Sequence, residues 1–110
     1  MNPFATPDKI LISNRSQDMR VGIQRLASIV TAEFDKDPTD GTLYCFVSRD
    51  CEKMKMLRFE VNGWCMYYVR LLEGSFKWRH LNNSEPTLLI ERRQLMMLLE
   101  GLDLEAIKLA

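Results

Sequence analysis

Apolar positions along this chain change period several times, and each change marks an element. Residues 9–13 (KILIS) read as a short strand. From Asp18 the period lengthens: Met19, Ile23, Leu26, Val30 and Phe34 fall three or four residues apart, as on one face of a helix. The spacing predicts a long helix over 17–34, with Ser16 as its N-cap and Asp18 at its positive start. Gly22 then lies inside the helix, where it costs roughly 1 kcal/mol relative to Ala, which calls for a packing reason such as close approach to a strand. FDKDPTDG (34–41) ends the helix with turn chemistry from Pro38 and Gly41. Residues 42–48 (TLYCFVS) are apolar on both parities and read as a central strand covered on both faces.

A hairpin follows, signalled by Asn62-Gly63. Pairing Val61 with Trp64 across a two-residue turn sets Phe59 opposite Met66, Leu57 opposite Tyr68 and Lys55 opposite Arg70. A four-residue loop moves the partners by two and keeps every side chain on its face, whereas a bulge turn would shift the second strand by one and scatter Met and Tyr over both faces. In the first two cases one face carries Met54, Met56, Cys65, Tyr67, Val69 and Leu71, a core face on which Arg58 must lie near the edge or find an acid. The other carries Leu57, Phe59, Trp64 and Met66 near the turn, then Lys53, Lys55, Tyr68 and Arg70 toward the far end. Residues 75–81 (SFKWRHL) alternate as a further strand, with Phe76, Trp78 and His80 on one face and Lys77 and Arg79 on the other. After a turn at 82–86, residues 88–90 suit a last strand and 91–100 a helix, with Gly101 in the left-handed position past its end. The expected fold is α+β: one domain over 1–110 with a loosely ordered arm at 1–8. Its mostly antiparallel sheet of four or five strands is packed on the core face by the long helix and the C-terminal one.

Charge alters this picture locally. The 15 basic and 15 acidic residues cancel, so no global field steers the chain toward a polyanion. Residues 49–79 nevertheless carry Arg49, Lys53, Lys55, Arg58, Arg70, Lys77 and Arg79 against Asp50, Glu52, Glu60 and Glu73, a mild basic excess. Lys53, Lys55, Arg70 and Tyr68 share one hairpin face. They read either as phosphate contacts with Tyr68 or Trp64 available for stacking, or as a solvated face paired with Glu52, Glu60 and Glu73.

Candidate catalytic chemistry is sparse. His80 is the lone histidine, and no elbow or oxyanion motif accompanies Cys45, Cys51 or Cys65. The cysteines and His80 lack zinc spacing, no phosphate-cradling glycine motif is present, and Asp37 and Asp40 fit a turn more simply than a Mg²⁺ site. No enzyme, cofactor, metal or small-molecule substrate is expected. The N-terminus lacks a basic, then apolar, secretory pattern, and no run nears the roughly 18 apolar residues of a membrane span. An odd set of three cysteines is no disulfide framework, so a cytoplasmic location with free thiols is expected.

Four stretches occur in a fixed order: DMRVGIQRLASIV (18–30), DPTDGTLYCFVSR (37–49), KMKMLRFEVNGWCMYYVRLLEGSFKW (53–78) and LLEGLDL (98–104). In this the chain resembles the TnpB family, the second-open-reading-frame accessory proteins of the bacterial insertion sequence family sixty-six. The resemblance runs from about residue 10 to 104. Asp18, Met19, Arg20 and Gly22 match the family's D-M-R-K-G word, with Val21 in place of its Lys. Arg49, Lys55, Gly63, Arg70, Leu71, Glu73, Gly74 and Trp78 match its hairpin pattern, while its dense Arg run thins here to Arg49, Asp50, Cys51, Glu52 and Lys53.

The resemblance implies a non-catalytic accessory factor for DNA transposition, acting beside a separate DDE-type transposase and possible transposon DNA. Arg20, Arg49, Lys53, Lys55, Tyr68 and Arg70 are then candidates for nonspecific nucleic-acid contact. The alternative is an adaptor that docks on the transposase through Trp64 and Met66 without touching DNA. A third class, a small hydrolase or nuclease, would require metal-dependent turnover lost on changing His80 or the Asp residues.

Overall fold

Leu43–Val47 (β2), buried at every position, is the middle strand of a five-stranded sheet. The computed structural model describes residues 9–77 and 85–101. In chain order the remaining elements are β1 (Ile10–Ser13), α1 (Ile23–Glu33), β3 (Lys53–Glu60), β4 (Gly63–Arg70), β5 (Thr87–Ile90) and α2 (Arg92–Leu99). The sheet order is β4-β3-β2-β1-β5. β1 and β2 run parallel because α1 carries the chain back between them; the other three pairings are antiparallel. The class is α+β, as expected.

Strand alternation sorts the apolar side chains into two cores. Leu11, Tyr44, Phe46 and Leu57 project to one face and meet Leu26, Ile29, Val30 and Phe34 of α1 and its C-cap. Ile10, Ile12, Cys45, Val47, Met54 and Met56 project to the other and meet Leu95 and Leu98 of α2. The two helices therefore cover opposite faces, not a shared core face. The hairpin face that the alternation predicts to be half polar is accordingly a second core at its turn end, where Trp64 and Met66 pack on the α1 side.

α1 is shorter than the 17–34 periodicity predicts. Its N-cap is Gly22, in an extended conformation, and not Ser16. Upstream, the Gln17 N–H donates to the Val47 carbonyl at 2.8 Å, and the Asp18 carboxylate accepts the Arg20 N–H at 2.9 Å. These bonds hold the segment outside a helix, although Met19 and Val21 still pack on the α1-side cluster. Gly22 needs no close approach, since an added Cβ would meet nothing within 4 Å.

Residues 75–77 carry no strand, and 78–81 of the strand expected over 75–81 lie outside the described residues, as does the 1–8 arm. Residues 88–90 do form a strand, extended to Thr87, and Gly101 takes φ 85° after α2. Glu91 and Gln94 close a capping box at the start of α2.

The hairpin adopts the register shifted by two. Glu60 pairs with Gly63, Phe59 with Trp64, Lys55 with Tyr68 and Lys53 with Arg70. Val61, not a glycine, therefore supplies the positive φ of the turn, at 54°. A β-branched residue is strained there, and its side chain, 74% exposed, recovers little by burial. Val61→Gly is expected to stabilise the protein by about 1 kcal/mol, the left-handed penalty of an L-residue outweighing the extra chain entropy of glycine. A thermal melt checks this: an unchanged or lower Tm would mean that the turn is unstrained.

Candidate nucleic-acid interface

Three separate segments meet at the end of the sheet nearest the start of α1. Residues Ser16, Gln17, Asp18, Met19 and Arg20 form one wall of an open cleft of about 720 Å³. Ser48, Arg49 and Asp50, just past β2, form the second, and Lys53 and Tyr68 from the hairpin the third. The topology explains the convergence. β2 ends at Val47, whose carbonyl holds Gln17, and the tight return into β3 begins at Ser48.

The cleft is lined by Arg20, Arg49 and Lys53 against Asp18 and Asp50. Both carboxylates are already engaged. Arg20 Nη2 lies 2.6 Å from Asp18 Oδ2, and Lys53 Nζ lies 3.2 Å from Asp50 Oδ2. The Ser48 hydroxyl donates to Asp50 at 2.5 Å and its oxygen accepts the Lys53 N–H at 3.0 Å. Arg49 and Arg70 are exposed and form no ion pair among the described residues.

These contacts set the acid behaviour of the rim. The hydrogen bond from the Arg20 side chain holds Asp18 down to about 2 from 3.8. The Ser48 hydroxyl, then the Glu52 backbone N–H and the Lys53 ammonium, hold Asp50 well below the usual carboxylate range. A carboxylate depressed in the folded state contributes stability that is full above its unfolded pKa and lost as pH falls through the folded one. The stability gap between wild type and Asp18→Ala is therefore expected to be constant above about pH 4 and to close toward about pH 2. Thermal melts across that range check it; a gap that stays constant down to about pH 2 would mean that Arg20 does not hold the carboxylate.

The sequence candidates divide by depth. Arg20, Arg49, Lys53 and Tyr68 line the cleft, and Arg70 stands across the ladder from Lys53. Tyr68 is 53% exposed. Lys55 is only 7% exposed: its Nζ donates to the Val21 carbonyl at 2.7 Å and lies 5.3 Å from the Tyr68 ring centroid. It lies behind the cleft wall and ties the segment before α1 to the sheet. Trp64 and Met66 are half-buried, and the Trp64 ring meets Phe59 edge-on at 4.9 Å. Arg58, on the α2 side, finds its acid in Glu60 at 3.9 Å.

The sequence reading missed Ser16, Gln17, Met19 and Ser48 as wall residues and gave Asp18 and Asp50 no part in the cleft. A usable signal was the Ser-x-Asp at 48–50 directly after a strand, a spacing that folds back on its own backbone. Thiol chemistry finds little support. Burial pushes Cys45 up to about 12, and burial followed by the Asp50 charge raises Cys51. Among the described residues no group of three or more His, Cys, Asp or Glu gathers as a metal set, and no helix is long and apolar enough to cross a membrane. His80 lies outside the described residues.

The family described as IS66 Orf2 like protein matches residues 8–109. An uncharacterised protein of Sinorhizobium fredii (strain NBRC 101917 / NGR234), y4hO, is 30% identical over 103 residues, covering 94% of this chain and 88% of its own. No solved structure matches.

Proposed function

The chain belongs to the IS66 Orf2-like family, which carries a transposition-associated accessory role, and within that role we propose that it contacts the phosphate backbone of DNA through the cleft. The observation that supports this reading is the convergence of Arg20, Arg49, Lys53 and Tyr68 from three segments onto one open surface. Arg49 and Arg70 supply the charge that no carboxylate of the described residues satisfies, and each phosphate they neutralise releases counterions. Tyr68 offers an aromatic face at the same place. The rim carboxylates keep the cleft from being a strong site, which suits a factor that helps assemble or position a transposase–DNA complex and leaves sequence selection to other proteins. The DDE-type transposase is the partner in that assembly, and the setting is the bacterial cytoplasm. The protein performs no chemistry of its own in this reading.

Fluorescence anisotropy tests the proposal, using a labelled terminal repeat of the element and a scrambled duplex from about 50 to 200 mM salt. Binding is expected to be steep in salt and similar on both duplexes. Arg49→Ala/Arg70→Ala is expected to lower the log–log slope by about 1.8, two phosphates at about 0.9 each. No binding at the lowest salt overturns the proposal and returns the search to docking on the transposase through Trp64 and Met66.

A further inference from the structure

Among the described residues the outer edge of β4 is unpaired, since the sheet order ends there. The Ser48 N–H donates to the Lys53 carbonyl and the Leu71 N–H to the Glu52 carbonyl. Odd-numbered residues of β3 therefore turn their backbone groups to β2 and even-numbered ones to β4. On β4 the odd residues face β3, which leaves the backbone groups of Trp64, Met66, Tyr68 and Arg70 directed outward.

Soluble proteins protect such an edge with proline, charges, bulges or brevity. β4 has eight residues, no proline, an unbroken register against β3 and one charge, Arg70, at its last position. The opposite edge, β5, is only four residues long. The geometry points to a second copy of this chain on the β4 edge, paired antiparallel about a two-fold axis through Tyr67.

That register alone pairs all four outward residues. Met66 faces Tyr68 of the second copy and Trp64 faces its Arg70, with roughly eight backbone hydrogen bonds. Its side-chain contacts are complementary: a thioether against an aromatic ring, and a guanidinium against an indole. The two Arg70 side chains stand at opposite ends and do not repel. An extended peptide of unrelated sequence would meet the same backbone groups without this reciprocity.

A two-fold axis normal to the sheet keeps the same face of both copies on one side. The two clefts, each including its own Tyr68, then lie on one surface of a continuous sheet. That consequence rests on the cleft reading, whereas the pairing does not, and its test reads mass and not DNA binding.

Sedimentation equilibrium of the full chain from about 1 to 100 µM is the experiment, a range suited to a standard-size protein interface. A dimer that dissociates on dilution is expected. Met66→Pro removes an outward N–H that the β3 ladder does not use, and proline is tolerated at such edge positions. It is expected to sediment as a monomer with an unchanged circular dichroism spectrum. Met66→Lys serves the same end should the proline variant fail to fold. Tyr67→Cys is expected to give a disulfide-linked dimer on mild oxidation, because the axis brings the two side chains opposite each other. A wild-type monomer throughout, a folded Met66 variant that still dimerises, or a Tyr67→Cys dimer that does not cross-link overturns the proposal. The first result would leave the edge to an extended peptide.

Discussion

Truncating Phe76 to alanine is expected to destabilise the protein by about 3–5 kcal/mol, the usual cost of removing a buried phenyl ring. Phe76 belongs to no helix or strand, yet it is 2% exposed and lies in the α2-side core with Met54, Leu95 and Leu98. Its N–H donates to the Cys51 carbonyl at 2.5 Å, which fixes the chain leaving β4 against the turn that enters β3. The ring thus closes one end of the core and anchors the loop beside the cleft. Domains of this size have about 5–15 kcal/mol of total stability, so the loss would take up a large share of it. Urea denaturation measures the effect, with Leu72→Ala as the control because that side chain is fully exposed four residues away. A Phe76→Ala cost below about 1 kcal/mol, comparable to the control, would show that the loop does not contribute to the core.

Phe76 also marks where sequence patterning succeeds and where it stops. The alternation at 75–81 located a buried side chain but assigned it a strand, because alternation reports burial and not hydrogen bonding. The same holds at Met19. It falls in phase with Ile23 and Leu26 and packs on the same cluster, but through a segment held outside the helix by Asp18 and Gln17. β2 was legible because both parities are apolar, and α2 because Gly101 ends it. The hairpin faces were legible since a shift by two preserves parity, while the register depended on a strained Val61 that no turn preference favours. For the cleft, parity placed Lys53, Lys55, Tyr68 and Arg70 on one face but said nothing about depth. Lys55 is buried because the segment before α1 crosses over it, a long-range contact that a local pattern does not encode.

That contact carries the second large effect. Lys55→Ala is expected to cost about 3 kcal/mol, since it removes the buried stem and leaves the Val21 carbonyl without its charged donor. Lys55→Met keeps the stem and is expected to cost only about 1–2 kcal/mol, because the lost bond is partly offset by no longer burying an ammonium. Binding to DNA separates this positioning role from phosphate contact. The bond from Lys55 to Val21 holds the segment that carries Asp18 and Arg20, so Lys55→Met is expected to lower affinity about tenfold, the equivalent of roughly 1.4 kcal/mol. Its salt slope should stay that of wild type, since a cation that touches no phosphate releases no counterion. Arg49→Ala/Arg70→Ala should do the reverse and flatten the slope. On the proposed function, the charges along the hairpin would divide into one that positions the cleft wall and others that meet phosphate. A slope lowered by about 0.9 in Lys55→Met would place its ammonium on a phosphate and require the segment before α1 to lift away when DNA binds.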